Sequence, residues 1–485
     1  MAAVATEQVV GSPSWWVNRL YKALVARQPA LEFYDQYYTG DHPLPWLAPQ
    51  ARTEFRRILT MTRSNFMGLV VDSTAERVRV EGFRFGADAG ADDRTWQIWQ
   101  HNNLDSDSDI AWLESLIGGT SYFLVAPNSI DPELPHVWVE HASQAIVEYQ
   151  PGSNRRTRAA GLKAWLDDWT GQLCVTLYLL VDGRLRVFKY QAETSSVTGS
   201  SLTVAGGSPR WVPRQVAGED WGELGGMDVI PLIEVPNNPR LLTGGRSELY
   251  DLTDIQDRIS KTLADRMMTQ DFGAFPQKWA TGWPDTDEDG NANTIDIGRN
   301  RMVTTDVTET RLGQWEAAPL DPYSFAKRED IKDIASRSRT PAQYLLGEMS
   351  NVNGETLKAS ESGLIAKVRQ RMRPWGEAAE EAMRIARTLA GIGGPTDARM
   401  ETVFSDPEFR TEGEKTDAAV KRLQSGIASK RQARTDVGYT LTQIAQLESD
   451  DLKEGADPMI AHALRSIINP APLPGVPGRN EPNSV

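Results

Sequence analysis

Apolar residues recur at helical spacing along most of the chain and alternate in only one stretch. Trp15, Trp16, Leu20, Leu24 and Val25 follow a helical stripe while Arg19, Lys22 and Arg27 point away, which predicts a helix that Pro29 interrupts. Phe33, Tyr34, Tyr37 and Tyr38 then crowd together within Leu31–Tyr38, and the turn-rich Thr39–Pro49 follows. These aromatics read as packing residues, because a stacking platform for nucleic acid needs an accompanying positive track. A longer helix is predicted from Arg52 to Arg77, with Phe55, Leu59, Phe66, Leu69, Val70 and Val71 apolar. After the glycine-containing Gly86–Arg94 loop comes a helical pair. Trp96, Ile98, Trp99 and Leu104 belong to its first member, and Ile110, Trp112, Leu113, Leu116 and Ile117 to its second.

Gly118–Gly119 ends that pattern, and strand-like runs follow at Tyr122–Ala126, Val137–Val139 and Ala145–Tyr149. The alternation is clearest in Leu173–Tyr190, where Asp182–Gly183 supplies a hairpin turn between Leu173, Val175, Leu177, Leu179 and the returning Leu185 and Val187. The apolar Val229–Val235 leads through Asn237–Gly245 into a helix predicted over Ser247–Gln270, with Ser247 as cap and Glu248 in its first turn. Ile255, Ile259, Leu263 and Met267 form its stripe, and at 1.5 Å per residue it is about 36 Å long. Two or three short strands are expected between Phe275 and Trp315. Helices follow over Tyr323–Arg337 and Glu355–Leu389, the second carrying Pro374. Thr411–Ser425, Thr440–Leu452 and Asp457–Ile468 are also predicted helical, and five prolines from Pro470 to Pro482 make the end a poor core former. Strand-rich and helix-rich stretches are segregated, so the class is α+β.

Composition narrows the function. With 485 residues the chain is long enough for about two to four domains. The 52 basic against 66 acidic residues leave a formal charge of -14, which argues against a general coat of positive charge for nucleic acid. The lone cysteine, Cys174, excludes an intramolecular disulfide, and its apolar neighbours make it a buried thiol. No early apolar run spans a membrane, and no basic-then-apolar leader is visible, so the chain reads as cytosolic or assembled from the cytosol.

Candidate chemistry is sparse. No glycine-rich loop ends in Lys and Ser or Thr, which removes phosphate-loop ATP hydrolysis, and Ala390–Gly394 reads as a helix terminator. His42, His101, His136, His141 and His462 are dispersed. One segment has metal-ligand spacing: Asp285, Asp287 and Asp289 alternate, Gly290 follows, and Asp296 takes the far position of a calcium loop. Glutamate is preferred there, Ala292 replaces the apolar anchor, and Trp279–Pro284 is not an incoming helix. The segment therefore reads as a solvated acidic loop, with a cation site as the alternative. No cofactor is implied.

The order of short landmarks resembles the portal proteins of tailed bacteriophages, of the siphovirus head-to-tail type. They are Tyr37-Tyr38-Thr39-Gly40-Asp41-His42, then Asn65, Val71-Asp72 and Arg77–Gly82. Ile230-Pro231-Leu232-Ile233, Asn237-Asn238 and Gly245-Arg246-Ser247-Glu248 follow, and later Asn353-Gly354-Glu355-Thr356-Leu357 and Phe404-Ser405-Asp406-Pro407. The matching order runs from about Trp15 to Leu447.

The resemblance implies a dodecameric ring at one capsid vertex, host-cytoplasmic before assembly, with double-stranded DNA passing through it. It divides the chain into a wing (1–240), a first stem helix (241–270), a clip (271–322) and a second stem helix (323–338). A tunnel loop (339–354), a long helix returning to the wing (355–410), a helical crown (411–469) and a flexible tail (470–485) complete it. Arg339, Gly347, Asn351 and Asn353 fall in the tunnel loop, and Lys261, Lys327, Lys332 and Lys358 are candidates for the lumen or for subunit boundaries, with outward-facing salt bridges as the alternative. The implied partners are terminase, a head-tail adaptor, the major capsid protein and a scaffold. Two other readings compete: another phage structural or scaffold-interacting protein, and a metal-dependent hydrolase built on Asp285, Asp287 and Asp289.

Overall fold

A 27-residue helix, α1 (Pro13–Thr39), opens the fold, with Ser12 accepting from Trp15 N at 3.3 Å as its cap. It continues through Pro29, where an interruption was expected. Gln28 ties that turn to Leu24 O at 3.4 Å and to Ser143 O at 2.7 Å, and Leu24 and Leu31 are buried on either side. Packing thus outweighs the ~3 kcal/mol that an interior proline costs. The computed structural model describes residues 9–46, 56–85, 92–153, 155–193, 209–214, 227–274, 278–282, 309–316, 318–347, 354–408, 412–439 and 441–456.

The helix expected over Arg52–Arg77 is two helices, α2 (Arg56–Met61) and α3 (Met67–Ala75). Side chains from elsewhere take over the backbone between them. Gln256 donates to Ser64 O at 2.5 Å and accepts from Phe66 N at 3.3 Å, while Asn65 accepts from Gly68 N at 3.0 Å. Such side-chain bonds compete with helical ones and break the run. The next helices are α4 (Asp93–His101) and α5 (Leu104–Gly118), so Leu104 opens the second of the pair instead of closing the first.

The strands in chain order are β1 (Val80–Phe85), β2 (Thr120–Ala126), β3 (His136–Glu140), β4 (Ala145–Tyr149), β5 (Arg158–Asp167), β6 (Gln172–Val181), β7 (Arg184–Ala192), β8 (Trp211–Pro213), β9 (Leu232–Pro236), β10 (Lys278–Thr281), β11 (Arg311–Gln314) and β12 (Met400–Phe404). They form two antiparallel pairs, β1-β12 and β10-β11, a three-stranded sheet β3-β2-β9, and a five-stranded sheet β4-β5-β6-β7-β8. The expected hairpin is β6-β7, closed by Asp182 and Gly183 at φ 52° and 75°. Positive φ at both positions suits the twist of the flanking strands. Of the strands expected between Phe275 and Trp315, two lie in the described residues, β10 and β11.

The remaining helices are α6 (Thr253–Ala274), α7 (Asp321–Ser338), α8 (Ala342–Leu346), α9 (Gly354–Leu389), α10 (Glu412–Gln424), α11 (Lys430–Val437) and α12 (Leu441–Ala456). The helix expected from Ser247 thus starts at Thr253, because Ser247 accepts from Leu249 N at 3.1 Å and its neighbours are held elsewhere. The predicted helix Asp457–Ile468 lies outside the described residues.

Hydrophobic packing forms two large cores beside a small cluster of Leu59 and Ala264. One core gathers Phe83, Trp99, Trp112, Phe123 and Trp375, with the indoles of Trp112 and Trp375 stacked at 5.2 Å. The other packs Val17, Leu20 and Leu24 of α1 on Leu162, Val175 and Leu177 of the five-stranded sheet. The class is α+β, and α9 is its spine, running against β2, β9 and β12.

Candidate functional site: the junction that holds the helical pair

Helices α6 and α7 run antiparallel. Arg258 pairs with Asp330 at 2.9 Å and Asp333 at 3.1 Å, whereas Thr269, further along α6, donates to Tyr323 Oη at 3.1 Å, nearer the start of α7. The β10-β11 ribbon joins their far ends. Three polar groupings fix the near ends to the body.

The first is Tyr37–His42. Tyr37 donates to Asp257 Oδ1 at 2.8 Å and stacks on His42 at 5.3 Å, and His42 Nε2 lies 3.0 Å from Ser260 Oγ. Tyr38 donates to Asp72 Oδ1 at 3.0 Å. Gly40 ends α1 at φ +85°, where a side chain would strain the backbone and crowd Asn65, whose Cβ would lie 3.2 Å from the added one. Burial pushes the Tyr37 hydroxyl far above its usual range and that of Tyr38 up to about 12. Burial also lowers His42, against the pull of Asp257, so its ring is neutral at pH 7. The grouping binds α6 to α1; its groups are tuned away from proton exchange at neutral pH.

The second is a knot around Glu248. Asn237 N donates to Gly119 O at 2.9 Å, Arg246 N to Asn237 O at 2.8 Å, and Glu248 N to Leu116 O at 2.8 Å. Gly245 passes so close that a Cβ there would lie 2.0 Å from Gly119 O. The chain is thereby turned so that Glu248 points inward instead of heading a helix. Its carboxylate accepts from Arg371 at 2.9 Å and Asn237 at 3.3 Å and pairs with Lys367 at 3.5 Å, and all three charged side chains are at most 8% exposed. Lys367 also donates to Ser338 O at 2.8 Å, reaching the end of α7. Burial would raise Glu248, but Lys367 and Arg371 outweigh it and hold it below the ordinary carboxylate range. Lys367 is lowered by burial, Glu248 opposing and Arg371 adding to the effect. The asymmetry follows from stoichiometry: one carboxylate serves two cations, so the anion is over-compensated and the lysine is not.

The third grouping holds the start of the expected tunnel loop. Arg339 ends α7 at φ 56°, and Leu345 of α8 is buried. Tyr344 donates to Glu361 and accepts from Arg77 at 2.9 Å, Arg77 pairs with Glu361 at 3.7 Å, and Gln343 donates to Ser360 at 2.9 Å. Gly347 then turns at φ +66°. Asn351 and Asn353 lie outside the described residues, as do Asp285, Asp287, Asp289 and Asp296.

Of the lysines expected at the lumen or at boundaries, Lys261 pairs with Asp265, Lys332 with Glu329 at 2.7 Å and Lys358 with Glu414 at 2.6 Å. Lys327 Nζ sits 5.7 Å above the Phe66 ring. The structure does not bring these four together; each has a partner within the protomer. Sequence reasoning did not single out Lys367, Arg371 or Tyr344. An i, i+4 cation pair on a long helix looks like any solvated face until Glu248 is known to point at it.

Cys174 is a buried free thiol with its pKa raised by burial. Among the described residues no group of three or more His, Cys, Asp or Glu could hold a metal ion, and no helix is long and apolar enough to cross a membrane.

An antiparallel helical pair is thus clamped at one end to an α+β body, with the landmark residues Tyr37, Tyr38, His42 and Glu248 doing the clamping. The chain belongs to the family described as phage portal protein, SPP1 Gp6-like, which matches residues 19–438. The DNA-packaging channel is the function that goes with this membership. The portal protein of Mycobacterium phage D29 is 28% identical over 495 residues, 98% of this chain and 96% of the relative. That of Mycobacterium phage L5 is 29% identical over 435 residues, 85% of this chain and 83% of the relative. A solved structure described as the neck of a native GTA particle computed with C12 symmetry is similar at a TM-score of 0.42 and 12% identity, covering 81% of this chain and 95% of that one.

Proposed function

We propose that copies of this chain stand side by side as a dodecameric ring at a unique capsid vertex, with double-stranded DNA driven through the centre. The observation that carries this reading is the clamped pair α6 and α7, which suits a channel wall better than a core: Arg258, Lys332 and Asp333 on it are more than half exposed. Trp315 and Phe325, at the ribbon end of the pair, are 64% and 68% exposed in the single protomer. The body is the wing, 1–240 with 355–410 returning to it; α6 and α7 are the stem; 271–322 is the clip, 339–354 the tunnel loop, 411–469 the crown and 470–485 a tail.

The channel works as a conduit and not as an enzyme. Terminase docks at the clip and hydrolyses ATP, a head-tail adaptor later takes much of that surface, and the wing meets the major capsid protein and scaffold. An acidic chain suits a conduit, because a sleeve that neutralised many phosphates would bind DNA tightly and with strong salt dependence. Cryo-electron microscopy of the purified protein tests the reading. Class averages should show closed rings with a central hole wide enough for duplex DNA; a population of monomers or open filaments with no closed ring rules the conduit out.

A further inference from the structure

Two clefts flank α9 and carry opposite charge. The first, of about 250 Å³, is lined by Arg246, Arg337, Arg339, Lys367 and Arg371 against only Glu248 and Asp251. Glu248 is already shared by Lys367 and Arg371, and Asp251 by Arg246 at 2.7 Å. Arg337 and Arg339, both exposed, make no ion pair among the described residues. The cleft therefore holds more positive charge than its own carboxylates balance.

The second cleft, of about 1010 Å³, is lined by more carboxylates than cations, with Glu76, Glu81 and Asp109 among them. None of these three makes an ion pair among the described residues, and Ile110 beside them is 49% exposed. Burial raises both Glu81 and Asp109, with Lys415 and Arg79 opposing at Glu81 and Arg79 opposing at Asp109. α9 contributes Glu361 to this cleft and Lys367, Gln370 and Arg371 to the other. At about 100° per residue Gln370 lies opposite Glu361, with Lys367 about 120° and Arg371 about 80° round from Glu361, so the two sets occupy different flanks of the helix.

A ring closes by heterologous contacts, in which one face of each copy meets a different face of the next. Opposite charge on two such faces fixes register and excludes wrong pairings. We propose that the two clefts are the two halves of the contact between neighbouring copies, Arg337 and Arg339 of one protomer facing Glu76 and Asp109 of the next. The inference rests on the ring reading and adds the surface by which the ring closes. It also gives the junction a second role, since Arg339 both ends α7 and meets the neighbour.

Charge reversal tests it. One variant carries Arg337→Glu with Arg339→Glu, the other Glu76→Arg with Asp109→Arg. Each alone sets like charge against like at every contact, and the closed-ring fraction, read by mass photometry, should fall at least tenfold. Mixed in equal amounts, the two restore opposite charge at every contact of an alternating ring, so rings should return. Recovery also shows that both variants fold. Rings from either variant alone at the unaltered level overturn the proposal, as does a failure of the mixture to recover when circular dichroism shows both variants folded. Intact rings of the Arg337→Glu, Arg339→Glu variant that have lost binding of inorganic phosphate or of duplex DNA overturn it too, assigning the cleft to an anion. Absence of closed rings from the unaltered protein would fail the ring reading itself and this inference with it.

Discussion

His42 shows how a polar residue can be placed by its surroundings and then made sensitive to them. Its ring is fully buried between Tyr37 and Ser260, with Asp257, Asp41 and Arg63 as the charged groups around it. Burial lowers its pKa, Arg63 assists, and Asp257 and Asp41 oppose. A histidine lowered in the folded state takes up its proton more readily when unfolded. Its contribution to stability is complete above about pH 6.5, the unfolded value, and is lost as pH falls below that. Thermal unfolding followed between pH 8 and 5 should therefore show a decline through about pH 6 that His42→Gln reduces, with the variant less stable at pH 8 because the stack on Tyr37 is gone. Parallel pH profiles for the two proteins would show that His42 does not titrate in this way. The same residue marks the limit of sequence reading. Tyr37-Tyr38-Thr39-Gly40-Asp41-His42 stood out as a landmark, yet nothing local said that its partners, Asp257 and Ser260, lie on a helix more than two hundred residues away. In sequence Glu248 suits the N-terminus of a helix, and only the approach of Gly245 to Gly119 shows why it turns inward.

Among the elements, those decided by their own periodicity were legible and those decided by distant neighbours were not. The helix expected over Tyr323–Arg337 is Asp321–Ser338, and that over Glu355–Leu389 is Gly354–Leu389 with Pro374 inside it. By contrast β12 exists because β1 pairs with it, residues such as Arg84 and Glu401 being 317 positions apart. β5 carries two alanines and a glycine at its start and becomes a strand between β4 and β6. Helix α11 was missed for a similar reason, since of its residues only Ala433 is buried and its sequence shows no apolar stripe. The spine α9 supplies a prediction at this scale. Trp375 is fully buried and stacked on Trp112, so Trp375→Ala leaves a large cavity and should cost about 3–5 kcal/mol in urea unfolding followed by circular dichroism. Trp375→Phe should cost less than the alanine change, because it keeps an aromatic ring and removes an indole N–H that has no acceptor among the described residues. Equal losses for the two would mean that the ring kept by phenylalanine recovers none of the packing and that the site requires the whole indole.

At the scale of the whole molecule, two of the three groupings meet on α9, one through Lys367 and Arg371 and the other through Ser360 and Glu361. Arg77, Tyr344 and Glu361 hold α8, Gly347 takes a left-handed conformation with nothing among the described residues within 4 Å of its missing Cβ, and α9 begins at Gly354. Of the described contacts, the segment between α8 and α9 carries the bond from Gly347 N to Gln343 O at 3.0 Å, and Arg77, Tyr344 and Glu361 hold α8 without it. Deleting Gly347–Val352 should therefore leave rings intact in cryo-electron microscopy while lowering the amount of DNA packaged or retained in matched capsids, if this segment faces the lumen. The order of measurement matters: rings are established first, because loss of assembly reports on the start of α9 and not on DNA. Tyr344→Phe is the companion variant, since it loosens α8 without shortening the loop; a defect in retention with rings preserved would place the effect in how the loop is held. Wild-type packaging and retention by intact rings of the deletion variant, with density putting the segment on the outer surface, would remove it from the channel and leave α6 and α7 alone as its wall.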